Sequence, residues 1–100
     1  MNFGQAVEAL KKGKKVRRQE WKDNVVFLWL KPAGIIKAEW CKDPMLKVIV
    51  EEHGGEIPAT GTICMLTPQN GVMSGWTPSQ DDMLSEDWEE VVEFFLTHHE

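Results

Sequence analysis

The chain has 100 residues, 42% of them hydrophobic and 27% charged, with a formal net charge of −5. This is the composition of one ordinary globular domain, which at this size buries roughly 60 to 65% of its unfolded surface, and it excludes a collagenous or disordered chain. All eleven Lys and Arg residues lie in the first fifty positions against five acids, while the second fifty hold eleven acids and no base, so the halves stand at +6 and −11.

Asn2 with Gln5 three residues on has the form of a capping box, and Phe3, Ala6, Val7 and Leu10 then share one stripe at helical spacing. Lys11 and Lys12 suit the last turn, where the helix dipole favours cations, and Gly13 stops the helix. Lys14 to Arg18 reads as a short basic extended segment. Val25 to Leu30 reads as a strand apolar on both faces, of which one can meet the helix and the other a partner subunit.

Pro32 and Gly34 break the chain before a strand at Ile35 to Trp40, and Asp43-Pro44 breaks it again before a strand at Met45 to Val50. Glu51 to Gly61 reads as a loop. Thr62 to Leu66 and Val72 to Trp76 flank an Asn70-Gly71 turn, the signature of a hairpin. Thr77-Pro78 opens a short helical turn to about Leu84, with Thr77 as cap. Trp88, Val91, Val92, Phe95 and Leu96 fit helical spacing, while Trp88, Val92, Phe94 and Leu96 fit a strand face; periodicity alone favours the helix.

No run approaches the ~18 apolar residues of a membrane helix, and the first residues lack the basic, apolar, small-residue order of a secretory signal, so a cytoplasmic protein is expected. Cys41 and Cys64 fit neither a disulfide framework nor a zinc spacing and read as buried free thiols. Phosphate-binding, dinucleotide and nucleophile motifs are absent. His98, His99 and Glu100 read as a terminal tail rather than a metal cluster, and His53 has no partner in sequence. The acids from Asp81 to Asp87 read as a solvated face, with general acid work as the alternative.

The chain has five tryptophans and no tyrosine. An indole on a rigid scaffold can stack on a nucleobase, and it can equally fill a small core. Trp29, Trp40 and Trp88 read as core; Trp21 and Trp76 sit where strand-like segments meet polar residues, so their rings can face a pocket. Lys11, Lys12 and Lys14 read as a solvated helix end. Arg17 and Arg18, beside Trp21, can serve a pyrophosphate or a solvated surface, and both readings stay open. The acidic second half disfavours a long nucleic acid.

The opening Asn2-Phe3-Gly4-Gln5-Ala6-Val7-Glu8-Ala9-Leu10-Lys11-Lys12-Gly13-Lys14-Lys15-Val16-Arg17-Arg18, closed by Trp21, and the later run from Trp76 through Asp81, Asp82 and Ser85 to Trp88 together resemble the domain-of-unknown-function family 2829. That family includes the second Thoeris anti-defence protein of bacteriophages. The resemblance implies an α+β fold, with an N-terminal helix packed on a mainly antiparallel sheet and a short second helix before a C-terminal strand at Trp88. On that reading residues 1–93 form a single compact domain and 94–100 a C-terminal tail.

The resemblance further implies a non-enzymatic homotetramer, needing no cofactor or metal, that sequesters a glycocyclic ADP-ribose messenger in the cytoplasm of the host cell. Some members of the family also hold cyclic dinucleotides at separate pockets. Carried onto the matched positions, it makes Trp21 and Trp76 stacking surfaces, puts Arg17 and Arg18 near the pyrophosphate, and gives Asp81 or Asp82 the ribose hydroxyls. The alternative is a protein-interaction module whose acidic half docks a basic partner and whose tryptophans are core; a weaker third is a nucleotide hydrolase using the carboxylates from Asp81 to Asp87.

Overall fold

The computed structural model describes residues 1–92, so the expectations for 94–100 and for the terminal histidines lie outside it. The described chain divides into two compact units, one of residues 1–30 with those from Ile63 on, the other Lys31–Thr62. The fold is α+β, as expected.

In the first unit, α1 (Phe3–Lys11) begins at the Asn2 cap. The Asn2 side chain accepts the Gln5 N–H at 2.8 Å, and the Gln5 side chain accepts the Asn2 N–H at 2.8 Å. Gly13, at φ +86°, takes the left-handed conformation that turns the chain away. A five-stranded sheet follows, in the order β6, β5, β2, β1, β7, made of β1 (Val16–Arg18), β2 (Phe27–Lys31), β5 (Thr62–Thr67), β6 (Gly71–Ser74) and β7 (Trp88–Glu90). β1 runs antiparallel to both β2 and β7, and β5 to β6 through the Thr67 to Gly71 turn. Ala6, Ala9 and Leu10 of α1 close on Val16, Leu28 and Trp88 to form the core.

β2 starts later than its apolar run, because Val25 holds φ 55° in the left-handed region and closes a 3₁₀ segment, Gln19–Asn24. Phe27 and Leu28, on opposite faces of this central strand, are both buried, while Trp29 and Leu30 are half-buried. The cap of α3 (Gln80–Leu84) lies two residues after the expected one: the Ser79 side chain, not Thr77, accepts the Asp82 N–H, and the Asp82 side chain accepts the Ser79 N–H.

The second unit corrects the sequence reading in three places. Met45 to Val50 is not a strand but part of α2 (Pro44–Glu52), since the Asp43 side chain accepts the Met45 and Leu46 N–H groups and Pro44 takes the first helical position. The expected loop from Glu51 contains β4 (Glu56–Ala59), which pairs antiparallel with β3 (Gly34–Lys37). α3 is therefore the third helix, not the second. β3 ends in a 3₁₀ turn at Ala38–Trp40, which leaves Trp40 64% exposed, with Lys37 Nζ 5.0 Å over its ring, rather than in a core. Trp29 is half-buried. Cys64 is buried and Cys41 half-buried; both are free.

Candidate functional site

The two sequence motifs meet through the β1–β7 ladder. Arg18 stands opposite Trp88, Arg17 opposite Glu89 and Val16 opposite Glu90. Basic and acidic halves thereby pair side by side: Arg17 Nε lies 2.8 Å from Glu89 and Lys14 Nζ 3.4 Å from Glu90. Part of the charge split read along the sequence is thus an internal pairing.

Above this ladder stand three indoles. Trp21 and Trp88 have centroids 5.4 Å apart at 81°, Trp21 and Trp76 6.2 Å at 79°, and Trp76 and Trp88 6.2 Å at 78°. Three planes near right angles to one another form an aromatic corner, and edge-to-face pairs of this kind contribute about 0.5–1.5 kcal/mol each beyond burial. Trp88, 2% exposed, is its base and packs on Phe3. Trp21 and Trp76 are half-buried and pack against the core. Trp21 is carried by the 3₁₀ segment, whose first residue, Gln19, donates its N–H to the Asp87 carbonyl at 2.9 Å. Trp76 is fixed after β6 by its N–H to the Ile63 carbonyl at 2.8 Å.

Beside the corner lies Arg18, its side chain 11% exposed. Its Nε donates to Asp87 at 3.0 Å, Nη1 to Asp82 at 3.2 Å and Nη2 to Glu20 at 3.3 Å. The hydrogen bond to Asp87 raises the Arg18 pKa above its ordinary value; burial opposes the rise, and Asp82 and the Glu20 charge add to it. Burial works to raise the Asp87 pKa, but the Arg18 hydrogen bond and charge, with the Glu20 N–H, hold that carboxyl below the usual carboxylate range.

Of the six residues singled out in sequence, Trp21, Trp76, Arg18 and Asp82 come together around Trp88. Arg17 points to Glu89 instead, and Asp81, on the first turn of α3, is exposed. Sequence reasoning missed Glu20, named Asp87 only among carboxylates for acid catalysis and not as a partner of Arg18, and placed Trp88 in the core without its role as base of the corner. Their signal was adjacency, since Glu20 precedes Trp21 and Asp87 precedes Trp88.

Among the described residues no three His, Cys, Asp or Glu side chains cluster to hold a metal, and no helix is long and apolar enough to cross a membrane. The corner can therefore offer flat apolar faces, and its surroundings carboxylate acceptors.

The chain is 33% identical over 91 residues to the protein named Thoeris anti-defense 2 of Bacillus phage SP01, an alignment covering 91% of this chain and 94% of that protein. Residues 1–91, which hold every element of the corner, match the Tad2-like family, described as the Thoeris anti-defense 2-like domain, and the chain belongs to that family.

Proposed function

We propose that this protein is an anti-defence sponge of phage or prophage origin, which binds an immune messenger of the glycocyclic ADP-ribose class and holds it without chemical change. Family membership supports the anti-defence role. One observation carries the ligand class: two half-buried indoles, Trp21 and Trp76, stand at 79° on a buried third. A purine needs a flat apolar face, and base stacking on an aromatic side chain contributes about 1–3 kcal/mol.

In this reading Trp21 and Trp76 stack on base or ribose and Asp81 accepts ribose hydroxyls, while Arg17, ion-paired with Glu89 on the other side of β1 from Arg18, stands apart from the corner. Arg18 and Asp82 belong to the same wall. No cofactor and no catalytic residue are needed, because sequestration follows from mass action: slow release and enough copies keep the free messenger below the level its receptor requires. The sponge acts in the host cytoplasm as a homotetramer. A long nucleic acid is a poor guest beside the acids from Asp81 to Glu90.

A thermal-shift series tests this. A ligand at 100 times its dissociation constant stabilises by about 2.7 kcal/mol, which in a domain of this size raises Tm by roughly 10 °C or more. Glycocyclic ADP-ribose is expected to produce that rise, and a flat response to it and to cyclic dinucleotides contradicts the proposal. A protein-interaction module is the second reading, favoured by the exposed stripe Met45, Val48 and Ile49 on α2. It expects no nucleotide response at all.

A further inference from the structure

The guanidinium of Arg18 lies among three carboxylates, each tied to the aromatic corner. Glu20 precedes Trp21 in the 3₁₀ segment. Asp87 precedes Trp88, and its carbonyl receives the Gln19 N–H that starts the same segment. Asp82 is fixed by the α3 capping box, Oδ2 accepting the Ser79 N–H at 2.9 Å while Oδ1 faces Arg18, and its carbonyl accepts the indole N–H of Trp88 at 2.9 Å. One planar fork thus ties together the turn that carries Trp21, the entry to the strand that carries Trp88, and the helix cap bonded to the Trp88 ring.

We infer that Arg18 is a positioning residue, which holds Trp21 and Trp88 in the aromatic corner and takes no phosphate of the ligand. Two physical facts support this. The fork faces three negative charges with one positive charge, so an incoming phosphate meets a net negative cluster rather than a waiting cation. The side chain is also 11% exposed, which leaves little guanidinium surface for a second anion. Such a site needs arginine in particular, because three carboxylates in different directions match five N–H groups in a fixed plane, whereas a lysine ammonium is a compact point charge. The same geometry commits Asp82 to internal bonds and leaves Asp81 as the carboxylate open to a ribose.

The binding arm of the test rests on the proposed nucleotide reading; the spectroscopic arm does not. Arg18→Lys and Arg18→Gln are compared with the parent chain by near-UV circular dichroism of the ligand-free protein, where closely packed indoles give a strong band. Glycocyclic ADP-ribose affinity is then measured across a salt series. Both variants are expected to lose half or more of the near-UV band, to bind at least tenfold more weakly at every salt concentration, and to keep the parent's slope of log affinity against log salt. Lysine is expected not to rescue.

An unchanged near-UV band overturns the inference. So does a salt slope reduced by about one in Arg18→Gln and restored in Arg18→Lys, the mark of a phosphate contact. If Arg18→Gln does not fold by far-UV dichroism, Asp87→Asn, which removes one leg of the clamp, takes its place, with the same losses expected and an unchanged band counting against the clamp. If the parent chain binds no nucleotide, the sponge reading falls, and the near-UV comparison still decides the role of Arg18.

Discussion

The indole N–H of Trp88 donates to the main-chain oxygen of Asp82 at 2.9 Å, so the base of the aromatic corner is bound to the helix cap that also faces Arg18. Packing and polar order are therefore one structure here. Val16, Leu28 and Leu10 share one buried cluster with Trp88, and its ring supplies the hydrogen bond that a buried carbonyl requires.

Replacing Trp88 by Phe keeps an aromatic ring but leaves the Asp82 carbonyl unpaired and a void beside it. The unpaired group alone costs about 1–3 kcal/mol, and truncation to Ala costs about 3–5 kcal/mol. Urea unfolding at constant m-value is expected to place Trp88→Phe between the parent chain and Trp88→Ala.

Much of α1 was legible in the sequence because its signals are local: cap, box, stripe and stop all lie within thirteen residues. α2 was misread because Met45 to Val50 is a run of apolar and β-branched residues that suits a strand, while Asp43-Pro44, taken as a break, is itself a cap followed by a proline in the first turn. β4 was hidden in an acidic, glycine-rich stretch and carries Pro58, which a two-stranded sheet tolerates. The site was half legible. The motifs named Trp21, Trp76, Arg18 and Asp82, but their meeting depends on β1 pairing with β7 some seventy residues away, which no local pattern encodes. Hence the bonds from Arg18 to Asp82, Asp87 and Glu20 went unseen, and Trp40 was assigned to a core from a strand that ends before reaching it.

Asp87 makes stability depend on acid. Its folded pKa lies below the ordinary value of about 3.9, so its contribution is fully present above that value and is lost as pH falls through the lower folded one. Asp87→Asn is expected to be less stable than the parent chain at neutral pH, with the gap narrowing as pH falls below about 4. Denaturation midpoints collected down to about pH 2.5 check this; a gap that stays constant across the range contradicts it.

The Asp43 cap is expected to matter in its own unit. Asp43→Ala removes the acceptor for the Met45 and Leu46 N–H groups and destabilises α2 by about 0.5–2 kcal/mol. Amide hydrogen exchange across Pro44–Glu52 is expected to accelerate, while exchange in Phe3–Lys11 stays as in the parent chain.

Trp21 is the half-buried indole nearest the base of the corner. If it stacks on the ligand, Trp21→Ala weakens glycocyclic ADP-ribose binding by about 1–3 kcal/mol, roughly fivefold to 150-fold, and Trp21→Phe retains part of it. Calorimetric titration of the two variants separates stacking from a general loss of fold, since the phenyl ring preserves an aromatic face.

The central claim is that the protein holds a nucleotide messenger without altering it. Purified protein is mixed with substoichiometric glycocyclic ADP-ribose, the free fraction is separated by filtration, and the retained fraction is released by heat and weighed by mass spectrometry. The expected result is depletion of the messenger from solution and its recovery with unchanged mass and full yield. Messenger left free in solution contradicts sequestration, and recovery of a hydrolysed product would show an enzyme in place of a sponge.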